Sequence, residues 1–231
     1  MTGVQTCALP ILKFLYGGDA FFDNMEDFFS GNGYEIVDKK AFTPEEITFD
    51  NVWGVCDEDM ANKAIKVMNS EAKTGKPFFN HWMTVSNHRP FTYPNNKIDI
   101  PGDAKSRDGG VKYTDYALNK FFKMAQKQSW YKNTIFVILA DHCASSAGKT
   151  ELPVDKYRIP AMIYSPSGFV EAKKYTNLMS QIDIMPTVFG LLNFNYQSKF
   201  YGQDVLKPDY KPRALIATYQ DLGLIKDNVL T

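Results

Sequence analysis

Asp141 and His142 stand side by side at the end of Thr134-Ile135-Phe136-Val137-Ile138-Leu139-Ala140, a run of large and β-branched residues. A carboxylate oxygen beside an imidazole nitrogen suits Zn2+ or Mn2+ better than Ca2+. His88 ends another apolar run, in Ser86-Asn87-His88-Arg89-Pro90-Phe91. The chain has three histidines, His81, His88 and His142, and two of them directly follow an apolar strand. The bland reading of either is a solvated turn. Two at equivalent strand ends favour a shared site. Cys143 reads as a small packing residue, because His142, its only neighbouring base, is committed to metal.

The elements that must carry these residues follow from patterning. Residues 134–139 alternate nothing, which predicts a strand buried on both faces in the middle of a parallel sheet. In open α/β sheets the functional crevice lies beyond the carboxyl ends of the strands. If the sheet is parallel, His88 and the 141–142 pair converge on one edge. Leu12 to Tyr16 reads as a strand, residues 19–29 as a helix closed by Gly31-Asn32-Gly33, and Tyr34 to Asp38 as the next strand, together a βαβ unit. Phe21, Phe22, Met25, Phe28 and Phe29 follow helical spacing and are expected in the core. Trp53 anchors a loop-like segment, and Asp57-Glu58-Asp59 puts acid in the first turn of a helix to Ala72. Residues 77–85 form a strand containing His81, which reads as buried and satisfied. Residues 92–110 are a long loop, 111–128 a helix, and 157–165 a strand that Pro160 places at an edge or a strand start. Asp183 caps a short helix to Leu192, and the stretch past Gly202 is weakly patterned.

With 26 basic and 26 acidic residues among 231, the net charge is zero, which excludes a phosphate-tracking nucleic-acid binder. No stretch of about 18 apolar residues exists to span a bilayer. Cys7, Cys56 and Cys143 have no C-x-x-C spacing, so a thiolate zinc site or disulfide framework is not expected. Residues 1–11 look like the in-frame translation of a sequencing-library adapter, so native sequence is expected from Leu12, with an unknown length missing upstream.

Four segments in register carry a family resemblance. They are Phe78-Phe79-Asn80-His81 with Ser86-Asn87-His88-Arg89-Pro90-Phe91, Ala140-Asp141-His142, Ile159-Pro160-Ala161-Met162-Ile163-Tyr164, and Gln181-Ile182-Asp183-Ile184-Met185-Pro186-Thr187. Together they resemble the lipoteichoic acid synthase-like (phosphoglycerol transferase) branch of the sulfatase and alkaline phosphatase superfamily. The resemblance implies an α/β three-layer sandwich with a mostly parallel central sheet, of which 12–206 is the C-terminal part and 207–231 a tail. It implies a domain on the extracytoplasmic side of a bacterial cell membrane, anchored by missing N-terminal helices. The activity implied is transfer of phosphoglycerol from a lipid-linked donor to a glycan or glycerophosphate acceptor through a covalent threonine. One divalent cation is implied, Mn2+ first and Mg2+ or Zn2+ as alternatives. Asp141 and His142 match the family's metal-binding Asp-His pair and His88 a substrate-contacting histidine. The family's glutamate ligand and nucleophilic threonine lie upstream, so the catalytic residue is not in this chain and the fragment is expected to be inactive. The family's Trp-Asn-Arg substrate motif falls at Phe22-Asp23-Asn24, which leaves Asn24 as the candidate there. The alternatives are a sulfatase or phosphoethanolamine transferase of the same superfamily, and a non-catalytic extracytoplasmic binding domain.

Overall fold

A computed structural model describes residues 9–144, 152–218 and 220–231. The chain divides into two compact units, residues 1–131 and 132–231.

The first unit is built on a parallel sheet whose central strand, β1 (Ile11–Tyr16), lies between β2 (Glu35–Val37) and β5 (Phe78–Met83). β1 begins at Ile11, which pairs with Phe78, one residue before the expected native start. Most of the adapter-like stretch, residues 1–8, lies outside the described residues. Phe14, Leu15 and Tyr16 are buried, as a strand covered on both faces requires. The Phe14 ring stacks on Phe29 at 3.9 Å. Burying a phenylalanine of this kind stabilises by about 2–3 kcal/mol. The helix between β1 and β2 gives the expected βαβ crossover, but in a broken form. Asp23 (φ 50°) and Asn24 (φ 59°) take left-handed conformations and divide it into a 3-10 turn, Phe22–Asn24, and α1 (Met25–Gly31). A continuous helical face therefore does not exist. Met25 and Phe29 pack against the core, whereas Phe21, Phe22 and Phe28 are exposed, contrary to the spacing argument.

A short hairpin follows, β3 (Asp50–Asn51) and β4 (Gly54–Val55), and then α2 (Asp57–Ala72). α2 packs on α3 (Arg107–Ala125), which starts four residues earlier than its apolar pattern predicts. Ser106 caps it, its hydroxyl accepting from Gly109 N–H at 3.3 Å. Gly109 and Gly110 are tolerated in that first turn because loop residues press on them: a Cβ at Gly109 would lie 2.2 Å from the Tyr93 hydroxyl.

The second unit holds β6 (Phe136–Leu139) and β7 (Ala161–Tyr164), paired antiparallel with Phe136 opposite Tyr164 and Leu139 opposite Ala161. This corrects the expectation for 134–139: its described ladder partner is antiparallel and residues 134–138 are half-buried. β7 starts directly after Pro160, as a proline without an N–H requires. α4 (Ile184–Leu191) is not capped by the Asp183 side chain. Asp183 is instead wholly buried, accepting from Arg213 Nη1 at 2.7 Å and Nη2 at 2.8 Å, Tyr210 Oη at 3.1 Å and Gln203 N at 2.8 Å. The weakly patterned stretch contains an antiparallel meander, β8 (Ala214–Ala217), β9 (Leu222–Lys226) and β10 (Val229–Leu230).

Candidate functional site

β1 and β5 run parallel in register from Ile11 opposite Phe78 to Tyr16 opposite Met83, so their carboxyl ends open on the same edge. That edge carries the segments leading to Asn24 and to His88. The turn bearing His88 is tied at both ends: His88 N donates to the Val85 carbonyl at 3.1 Å, and Phe91 N to the His88 carbonyl at 2.8 Å.

Beneath it lies Asp57, the first residue of α2 and almost wholly buried. Its Oδ1 accepts from Val85 N at 2.8 Å and Ser86 N at 3.3 Å, and its Oδ2 accepts from Thr114 Oγ1 at 2.9 Å. Asp57 N donates in return to Ser86 Oγ at 3.0 Å. This reciprocal pair resembles a capping box made between distant segments, and it gives the first N–H of α2 a partner. Glu58 pairs with Lys97 (2.9 Å) and Lys120 (2.7 Å), and Asp59 accepts from Thr48 N at 2.6 Å. The acidic triplet, read from sequence as complementing a helix dipole, is thus three separate long-range ties.

The His88 side chain is exposed, and its Nδ1 lies 2.9 Å from the Arg89 carbonyl. A carbonyl oxygen can only accept, so that bond assigns the proton to Nδ1 and leaves Nε2 as the ring's acceptor. Asn24 is exposed at the start of α1, and its side chain makes no capping bond, which leaves the amide available. His81 is not the buried, satisfied residue that its place in the strand suggests. It is exposed, with ring edges meeting Phe14 at 5.6 Å and Phe29 at 5.3 Å. Those rings displace water from one side and push its pKa down despite the exposure of the rest. Sequence reasoning missed a polar group at the ends of β1 and β2. Asp38 accepts from Ala20 N at 3.2 Å, and Lys40 pairs with Asp19 at 3.0 Å. Hydrogen bonding from Phe21 N–H and then from Lys40 holds the Asp19 carboxyl below its usual range. The signal was available, since Asp19 and Asp38 follow strands just as His88 does.

In the second unit, Asp141 and His142 lie just past β6 with side chains 79% and 65% exposed. His142 N donates to Asp141 Oδ1 at 2.8 Å, and His142 Nδ1 lies 2.9 Å from the Cys143 carbonyl, leaving Nε2 with a lone pair. That Nε2 is 3.4 Å from Asp141 Oδ2. Two bonds of about 2.1 Å to one ion, with their donor atoms that far apart, subtend about 108°, close to tetrahedral. The pair therefore fits two positions of a coordination shell. Among the described residues no group of three or more His, Cys, Asp or Glu completes it. Gln181, from the fourth resemblance segment, fixes the backbone under the pair by donating to the Asp141 carbonyl at 2.6 Å and the Ala140 carbonyl at 3.2 Å. Cys143 Sγ donates to the Arg158 carbonyl at 2.8 Å, in keeping with a structural role.

A parallel sheet flanked by helices, with polar clusters beyond its strand ends, makes the first unit an α/β fold. A family model described as Sulfatase matches residues 12–194, and the chain belongs to that family. It is 28% identical over 217 residues to lipoteichoic acid synthase-like YvgJ of Bacillus subtilis, covering 84% of this chain and 34% of that protein. It is 22% identical over 218 residues to phosphoglycerol transferase I of Xanthomonas campestris, covering 90% and 31%. The chain thus spans about a third of the length of these relatives. Among solved structures, an alkaline phosphatase superfamily protein from Vibrio parahaemolyticus superposes with a TM-score of 0.88 at 37% identity, over 96% of this chain and 54% of that one. The lipoteichoic acid synthase LtaP from Listeria monocytogenes gives 0.72 at 24% identity, over 96% and 64%, a likeness of fold. Among the described residues no helix is long and apolar enough to cross a membrane.

Proposed function

We propose that this chain is the C-terminal part of a metal-dependent transferase that moves phosphoglycerol, or a similar phospho-headgroup, from a lipid-linked donor to a glycan or glycerophosphate acceptor. Asp141 Oδ2 and His142 Nε2 hold one divalent cation, Mn2+ first among Mn2+, Mg2+ and Zn2+. When bound, such a cation neutralises phosphoryl charge and lowers the pKa of a nucleophile. His88 Nε2 accepts a hydroxyl proton or, once protonated, donates to a phosphoryl oxygen. Asn24 offers its free amide to the headgroup. The nucleophilic threonine, a glutamate ligand and membrane-spanning helices belong to the longer protein, on the extracytoplasmic side of a bacterial membrane. With two donors among the described residues, the chain alone binds metal weakly and is inactive.

One observation carries this reading: the Cys143 carbonyl fixes the His142 tautomer so that two electron-pair donors face each other at 3.4 Å, a spacing that a shared cation relieves. The names of the relatives supply the reaction class. The test uses the complete protein, with metal content measured after gel filtration and turnover measured on phosphatidylglycerol. Asp141→Ala should lose the cation and activity together, whereas His88→Gln should keep the cation and lower kcat roughly 100-fold. Unchanged metal content in Asp141→Ala refutes the metal site, and full activity in His88→Gln removes that residue from the chemistry.

A further inference from the structure

We infer that Trp53 is the positioning residue of His88, fixing which imidazole nitrogen faces substrate. The consequence for catalysis rests on the phosphoryl-transfer reading above, but the geometry does not. Trp53 sits at the tip of the β3–β4 hairpin, and that tip is fastened from several sides. Val55 N donates to the Gly17 carbonyl at 2.8 Å, Trp53 N to Asn51 Oδ1 at 2.8 Å, and Asn51 Nδ2 to Thr92 Oγ1 at 2.9 Å. Glycine is required where the hairpin meets the end of β1. Gly54 has φ +136°, and a Cβ at Gly18 would fall 2.4 Å from the Trp53 carbonyl oxygen.

From this mounting the indole reaches His88 in two ways. Its ring lies against the imidazole with centroids 4.1 Å apart. Its Nε1–H donates to the Arg89 carbonyl, the same oxygen that accepts from His88 Nδ1. A carbonyl oxygen has two lone pairs, so it serves both donors. The indole thereby orients the acceptor that sets the His88 tautomer, and Nε2 is left for substrate. Phe22, two residues before Asn24, meets the indole edge-on at 5.3 Å. A purely structural Trp53 would fill space beside the Phe14–Tyr16–Ala20–Val85 cluster, against which it also packs, and would leave the tautomer alone.

Imidazole 15N NMR on the purified chain separates these roles, because only three histidines contribute. Wild-type His88 should show the Nδ1–H tautomer. Trp53→Phe, which keeps an aromatic ring but has no N–H, and Trp53→Leu, which removes both contacts, should shift it towards Nε2–H while the His142 signal stays in place. An Nε2–H tautomer in the wild type, or a His88 signal unmoved in Trp53→Phe, overturns the inference, and that variant decides if Trp53→Leu does not fold. In the complete protein, absent turnover beside an intact tautomer shift would indict the transferase reading alone.

Discussion

The carboxyl ends of β5 and β6 both present a histidine, yet they are held by different chemistry. Past β5, the turn to His88 is secured by the buried carboxylate Asp57 and by an indole. Past β6, Asp141 and His142 stand in solvent, and among the described residues they are secured by hydrogen bonds to backbone and by Gln181. Buried carboxylates lock geometry because losing one leaves several N–H groups unsatisfied. Exposed ones lock little and stay free to take a ligand. The first arrangement suits a group that must hold still against a substrate. The second suits ligands whose final geometry a cation sets.

The sharpest way to break this contrast is to remove the buried tie. Asp57→Ala should cost about 3 kcal/mol in urea unfolding, since Val85 N, Ser86 N and the Thr114 hydroxyl lose their acceptor. A loss below about 1 kcal/mol would mean that water replaces the carboxylate and that the turn is not locked.

Acid offers a second probe, because the first unit relies on carboxylates. Hydrogen bonds from Lys63 and then Lys66, with one from Thr43 N–H, hold the Glu46 pKa down to about 2 from 4.5. A depressed carboxyl stabilises fully above its unfolded value, and that contribution is lost as pH falls from about 4.5 towards about 2. Glu46→Gln should flatten stability across that window, and an unchanged acid limb would show that Glu46 is not a folded-state tie. The smallest effect belongs to the exposed pair: Asp141→Ala should change stability by less than about 0.5 kcal/mol. A larger loss in the metal-free chain would show that the pair holds the fold as well as a ligand.

Much of the first unit was legible from sequence. β1, α2 and β5 follow from apolar runs and an apolar helix face, and the place of His88 just past a strand is legible in the same way, as is that of Asp141-His142 in the second unit. Periodicity reports which face is apolar but not which partner covers it. For that reason the 134–139 run reads as a central parallel strand although β7 pairs with it antiparallel. Helical spacing put Phe21 and Phe22 in the core because it overlooked Asp23-Asn24, two residue types that tolerate the left-handed conformation and here break the helix. The alternation in Ala214-Leu215-Ile216-Ala217, buried and exposed by turns, is too short to stand out until β9 pairs with it. Likewise Asp57, Glu58 and Asp59 read as dipole charges because the groups that donate to them lie far along the chain.

That acidic triplet has a dynamic consequence. Three consecutive side chains each grip a different segment, at Thr48, at Val85–Ser86 and at Lys97. Fraying of a single helical turn would let go of all three together. The turn that carries His88 would lose its Asp57 tie in that same event, which makes the first turn of α2 a common latch for three segments.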